Sequence, residues 1–167
     1  VGRTEEIIGS WFAGPGKGQR DEYVVATKIS GPNGGFVRDG RGIDPETLRE
    51  AVDASLSRMR IEVIDLYQLR WPNRDTYHFR RVWAFDPSPQ DRAATVQHMD
   101  DAMGALAELA AEGKIRAFGV SNETTWGTAQ WLAAGERCGG PRVAAIQNEY
   151  SPLCRMPGDA DLAELCH

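Results

Sequence analysis

The stretch from Val63 to Arg74, VIDLYQLRWPNR, constrains the fold more than any other part of the chain. Ile64, Leu66 and Leu69 make it too apolar for a strand with one wet face. It is also too short for a helix that buries itself, so it reads as a strand covered on both faces. Pro72 ends it, because proline has no N–H to give to a sheet ladder. Strands of this kind belong to parallel sheets flanked by helices, and such folds place their chemistry where the strands run out at their C-terminal ends. In this strand the residue at that point is Arg70.

Helices and strands alternate around it. Thr4 to Ala13 carries Ile7, Ile8, Trp11 and Phe12 at helical spacing, and a Gly-rich turn from Gly14 to Gly18 leads into a first strand, Tyr23 to Lys28. The glycine-rich segment Ser30 to Gly42 reads as a mobile loop at that strand's exit. Asp44 followed by Pro45 signals an N-cap and a first helical position, and Leu48, Ala51, Val52, Leu56 and Met59 continue the helix. Trp71 to Thr95 carries aromatics, prolines and charges without a period, and a loop of that length is a functional lid or is disordered. Val96, Met99, Met103, Leu106 and Leu109 mark a helix that stops at Gly113. A third strand at Ile115 to Val120, a helix at Thr124 to Arg137 and a fourth strand at Val143 to Gln147 follow. Gly158 to His167 opens one more helix, cut off after its second turn, and Val1 is not an initiator methionine, so both ends read as truncated. Regular alternation of this sort, with right-handed crossovers, gives an α/β fold with a parallel sheet, here as one domain over residues 1–167.

Charge and cysteine usage narrow the function classes. A formal charge of −5 and a pI near 5.2 argue against nucleic acid as a partner, since a phosphate-binding face needs clustered cations. Cys138, Cys154 and Cys166 lack CxxC or Cys/His spacing, so no disulfide framework and no metal site are expected. Reduced thiols point to a cytoplasmic setting. No apolar run approaches the roughly 18 residues of a membrane span, and no signal peptide opens the chain.

Lys28, Arg70, the pair Ser121 and Asn122, and Gln147 stand at the C-terminal ends of the four strands. In a parallel barrel these ends share one face, so residues far apart in sequence point at one ligand. Each has a plainer reading. A strand-exit Lys or Arg is commonly solvated, and Ser121 and Asn122 can cap the helix that begins near Thr124. Gln147 follows Ala144, Ala145 and Ile146 directly, where an amide needs partners.

These residues sit in words that resemble the aldo-keto reductases, particularly bacterial members close to the potassium channel beta subunit group. The words are TEEIIG at Thr4 to Gly9, VVATKIS at Val24 to Ser30, SLSRMRIEVIDLYQLRWP at Ser55 to Pro72, EGKIRAFGVSN at Glu112 to Asn122 and IQNEYSPLCR at Ile146 to Arg155. They occur in the family's order and span nearly the whole chain. The resemblance implies a (β/α)8 TIM barrel, with about four of the eight βα units in this chain, that binds NADP(H) and reduces a small-molecule aldehyde or ketone. Lys28 matches the lysine that lowers the pKa of a proton-donating tyrosine, a cation beside a phenol favouring the phenolate. Ser121, Asn122 and Gln147 match positions that hydrogen-bond the nicotinamide carboxamide. Trp71 matches a tryptophan of the substrate pocket; a strand-end aromatic that closes the barrel is the alternative.

The chain departs from the family in two respects. The resemblance puts the catalytic aspartate and tyrosine upstream of Thr4, ahead of Val1, and the last barrel strands beyond His167, which leaves open sheet edges and self-association through them as an expectation. Arg70, moreover, stands where the family has a histidine. Arginine stays protonated, so it cannot exchange a proton near neutral pH, although it can donate to a substrate oxygen or hold a carboxylate bidentately. It also sets a second cation near Lys28. Altered or lost catalysis is therefore expected, with a non-catalytic nucleotide-binding or regulatory protein-interaction member of the same fold as the rival. His78, in the long loop, reads as solvated.

Overall fold

The computed structural model describes residues 2–155, 158 and 161–167. Its elements alternate as α1 (Arg3–Ala13), β1 (Ala26–Ile29), α2 (Pro45–Met59), β2 (Ile64–Leu69), α3 (Arg92–Ala111), β3 (Ile115–Ser121), α4 (Thr125–Cys138), β4 (Val143–Gln147) and α5 (Asp161–Cys166). The strands form one sheet in the order β1-β2-β3-β4, and every neighbouring pair is parallel. Sequential parallel strands joined by helices are one arc of a (β/α)8 barrel, with all four C-terminal ends on one edge.

Local chemistry sets the element ends. The Asp44 carboxylate accepts from Thr47 N at 2.8 Å while the Thr47 hydroxyl accepts from Asp44 N at 2.9 Å, a reciprocal cap that starts α2 with Pro45 in its first turn. Thr124 Oγ1 accepts from Gly127 N at 3.1 Å and so caps α4. That leaves Ser121 and Asn122 outside the cap, contrary to one of the two readings of their sequence. α1 lies against the end of α2 because Gly9 has no Cβ: one built there would stand 2.3 Å from the Arg58 carbonyl oxygen. Across the same contact, Arg58 Nε donates to Glu5 Oε2 at 2.6 Å and Thr27 Oγ1 donates to Glu5 Oε1 at 2.5 Å.

The core lies between the sheet and the helix layer. Leu48, Val52 and Met59 of α2 and Met99, Met103, Leu106 and Leu109 of α3 are fully buried with Ile29, Tyr67, Phe118 and Val120 of the sheet and Trp131 of α4. Burying each Leu-sized side chain stabilises by about 1.5–3 kcal/mol before conformational entropy is counted.

Several expected boundaries shift. β1 spans Ala26–Ile29, not Tyr23–Lys28, because Tyr23 closes the short 3-10 turn Arg20–Glu22 and both Tyr23 and Val24 are exposed. β2 stops at Leu69, before Pro72, although Arg70 N still donates to Ile29 O at 2.8 Å. α3 begins at Arg92, where Asp91 Oδ1 accepts from Ala94 N at 3.0 Å, so the long connection after β2 is shorter than the aperiodic sequence suggests. The helix expected from Gly158 falls partly outside the described residues; its described turns are α5.

At the N-terminal end of the sheet the single acid of β2, Asp65, is buried and fully engaged. Its carboxylate accepts from Val25 N at 2.8 Å, Arg20 Nη2 at 2.7 Å and Arg116 Nη1 at 2.5 Å, while Arg20 Nη2 also donates to Val63 O at 2.6 Å. Burial pushes its pKa up, but the Val25 N–H and the two guanidiniums outweigh burial and hold the carboxyl below the usual range. The sign follows: stability from this charge is present above the unfolded value near 4 and is lost as pH falls through the lower folded value. Asp65→Asn is expected to cost roughly 3 kcal/mol at pH 7, with the gap to wild type in denaturant titrations closing below pH ~4. A gap that persists unchanged to pH ~3 would show that the charge is not what stabilises this end.

Candidate active site

The parallel register brings the strand-exit residues together. Lys28 pairs across the sheet with Gln68, Gln68 with Gly119, and Ser121 with Gln147, so Lys28, Ser121 and Gln147 point from the same face of three strands. Gly119 is what lets β4 close on β3 at this level, for a Cβ there would sit 2.8 Å from the Ala145 carbonyl oxygen and crowd Gln68 and Leu66. The Lys28 ammonium donates to Gln147 Oε1 in a short contact and to Ser121 Oγ at 3.5 Å. One cation thus ties β1 to β3 and β4.

Asn122 supplies the next link. It takes a left-handed backbone (φ 50°), its N–H donates to Gln147 O at 3.0 Å, and its Nδ2 donates to Arg70 O at 2.8 Å and Ser121 Oγ at 3.3 Å. The left-handed turn carries the chain from β3 into Glu123 and the α4 cap while aiming the amide back over the sheet edge. Ser121 is buried, Lys28 and Asn122 are half-buried, and Gln147 is exposed. The Gln147 amide is thus open to solvent, and its oxygen finds a partner in the Lys28 ammonium.

Arg70 projects from the exit of β2 into solvent, its guanidinium 5.2 Å from the centre of the Trp71 ring. Trp71 is fixed in turn: its Nε1 donates to Pro32 O at 3.0 Å and Phe79 meets it edge-on at 5.9 Å. Gly31 lies under the indole, where a Cβ would come within 2.6 Å of the ring. Burial lowers the Lys28 pKa from the ordinary lysine value, and the like charge of Arg70 lowers it further, as the neighbouring cation leads one to expect.

The segment after β2 is anchored by residues that the sequence pattern does not mark. Arg74, nearly buried, holds the buried Glu123 carboxylate bidentately, through Nη1 at 2.9 Å and a short Nη2 contact, and donates to Thr124 Oγ1 at 3.0 Å. The Glu123 backbone is clamped by Asn148, which accepts from its N–H at 3.1 Å and donates to its carbonyl at 2.9 Å. His78 overturns its reading as a solvated loop residue. It is only 5% exposed, with Nε2 3.0 Å from Glu123 O, and burial lowers its pKa. A histidine in an aperiodic loop carries no sequence signal for this; Glu123, wedged between a strand exit and a helix cap, carried a faint one.

Four parallel strands with alternating helices define a piece of a (β/α)8 barrel, and the polar cluster lies on the edge where such barrels carry their sites. The chain belongs to the aldo/keto reductase family, whose family model matches residues 1–167. It is 39% identical over 157 residues to Protein tas of Escherichia coli (strain K12), covering 92% of this chain and 44% of that protein. An aldo-keto reductase of Babesia bovis is 33% identical over 153 residues, covering 87% of this chain and 53% of its own length. The NADH-specific methylglyoxal reductase of Escherichia coli (strain K12) is 29% identical over 176 residues, covering 94% and 46%. The chain spans about half the length of these curated relatives. Among the described residues no helix is long and apolar enough to cross a membrane.

The Arg74–Glu123 pair yields a direct test. Arg74→Met leaves a carboxylate buried and unpaired, and is expected to lower unfolding free energy by roughly 3–5 kcal/mol. Chemical denaturation measures it, and a loss under about 1 kcal/mol would mean that the pair adds little beyond packing.

Proposed function

We propose that this chain provides the nicotinamide-side half of an NADP(H)-dependent reductase site for small aldehydes or ketones. The observation that supports this reading is the convergence of Lys28, Ser121, Asn122 and Gln147, from three strands, into one hydrogen-bonded cluster at the sheet's C-terminal edge. A nicotinamide carboxamide needs both donors and acceptors. The Nε2 of Gln147 and the Oδ1 of Asn122 have no hydrogen-bond partner among the described residues, so the cluster offers one of each kind. The residues fit the group. When bound, the reduced cofactor supplies the hydride.

The chain's own residues then divide the remaining tasks. Ser121, Asn122 and Gln147 orient the carboxamide and with it the face of the ring. Lys28 holds positive charge where negative charge develops as a carbonyl is reduced, and beside the family's tyrosine it favours the phenolate. Arg70 donates to substrate without exchanging a proton, because guanidinium stays protonated throughout the working range. Trp71, braced by Pro32 and Phe79, forms an aromatic wall of the substrate region.

Two measurements test this reading. Titrating the protein with NADPH, and separately with NADH, while following nicotinamide fluorescence reports binding; Gln147→Ala and Asn122→Ala are each expected to weaken it by roughly tenfold. Carbonyl-dependent oxidation of the cofactor by the product of the complete gene reports turnover, and binding without turnover on any aldehyde would replace the reductase reading by a nucleotide-binding one. In an active protein, the alkaline limb of kcat/KM belongs below the ordinary lysine pKa, since Lys28 is depressed by burial and by Arg70. It is expected to move to higher pH in Arg70→Gln, which removes the like charge.

A further inference from the structure

The exit of β2 presents a guanidinium that nothing in the described structure neutralises. Arg20, Arg58, Arg74, Arg116 and Arg137 each lie in an ion pair. Arg70 has no carboxylate within ion-pair distance among the described residues, and its side chain makes no hydrogen bond there. The neighbouring cation is not neutralised either, as Lys28 is held by a hydroxyl and an amide oxygen. Two positive charges therefore share one edge of the sheet, in a chain whose formal charge is −5.

The backbone that carries the guanidinium is also held in place. Both backbone groups of Arg70 are fixed, the N–H on Ile29 O at 2.8 Å and the carbonyl by Asn122 Nδ2 at 2.8 Å. Its Cζ stands 5.2 Å from the centre of the Trp71 ring, which Pro32 and Phe79 hold in place. A guanidinium beside an aromatic ring keeps its N–H fork free to engage a carboxylate bidentately.

We propose that Arg70 is a specificity-determining residue that selects carbonyl substrates bearing a carboxylate, with the carboxylate held by the guanidinium fork and the organic body packed beside Trp71. The assignment rests on the reductase reading of the same site. It adds the substrate class: oxo acids and carboxylated aldehydes in preference to neutral carbonyls. A carboxylate seated there also relieves the repulsion between Arg70 and Lys28, so binding and the protonation of Lys28 reinforce each other.

Acid and ester pairs test this in the product of the complete gene: 4-carboxybenzaldehyde against its methyl ester, and pyruvate against methyl pyruvate. The kcat/KM ratio of acid to ester is expected to exceed about 10, to fall to about 1 in Arg70→Met, and to lie between these in Arg70→Lys, which keeps the charge and loses the fork. A ratio near unity in the wild type, or one unchanged in Arg70→Met, overturns the proposal. The ratio is internal to each variant, so a general loss of activity does not imitate the result. Should none of these carbonyls be reduced, the reductase reading fails on its own, and calorimetric titration with benzoate against benzamide decides the present point. Benzoate binding that is selective over benzamide and lost in Arg70→Met supports it, and absence of selective binding overturns it. Benzoate binding that NADPH competes away assigns the guanidinium to a cofactor phosphate and overturns it as well.

Discussion

Four consecutive strands pair in parallel, each with the next, and that pairing fixes where every chemically interesting side chain can go. Parallel pairing puts all four C-terminal ends on one edge. The register then decides which residues share a level: Lys28 opposite Gln68, Gln68 opposite Gly119, Ser121 opposite Gln147. A slip of one residue in β1 alone would turn Lys28 into the helix layer and bring Thr27 or Ile29 to the open face. The helix layer resists that slip, since Ile29 is buried in the core and the Thr27 hydroxyl is bonded to Glu5. Core packing and site geometry are thus consequences of the same alternation.

The two ends of the sheet treat charge in opposite ways. At the N-terminal end, Asp65 is surrounded by Arg20, Arg116 and the Val25 N–H, a set that satisfies its lone pairs and holds it ionised. At the C-terminal end, Lys28 and Arg70 stand close enough for one to depress the other, with neutral partners only. The first arrangement satisfies its charge within the protein, whereas the second leaves two like charges uncompensated at the sheet edge.

Much of this architecture was legible in the sequence. The apolar run around Leu66, the Asp44–Pro45 start signal and the Gly113 stop each reflect a local rule that tertiary packing did not override. Boundaries failed where a side chain from a distant element intervened: Asp65 engages the Val25 backbone, and the short 3-10 turn before it strips Tyr23 and Val24 from β1. The cluster itself was legible because strand exits are few and parallel topology forces them together. The anchoring of the segment after β2 was not. Arg74, His78, Glu123 and Asn148 are scattered in sequence, and their shared role depends on a fold of the connecting chain that no periodicity encodes.

That anchoring determines how the β2 exit can behave. Arg70 lies between two fixed points, the Ile29 pairing at its own N–H and the Arg74–Glu123 pair four residues on. The Glu123 end of this clamp joins directly to Asn122, whose side chain holds the Arg70 carbonyl. Arg70 is consequently built into the sheet edge by the same asparagine that borders Ser121 in the polar cluster. A change at Asn122 disturbs both the placement of the Arg70 backbone and the polar cluster around Ser121, so the two halves of the site are coupled through one side chain. The Arg70 side chain acts on the cluster through its charge on Lys28, so a substitution there removes that repulsion while the backbone links to Ile29 and Asn122 stay in place.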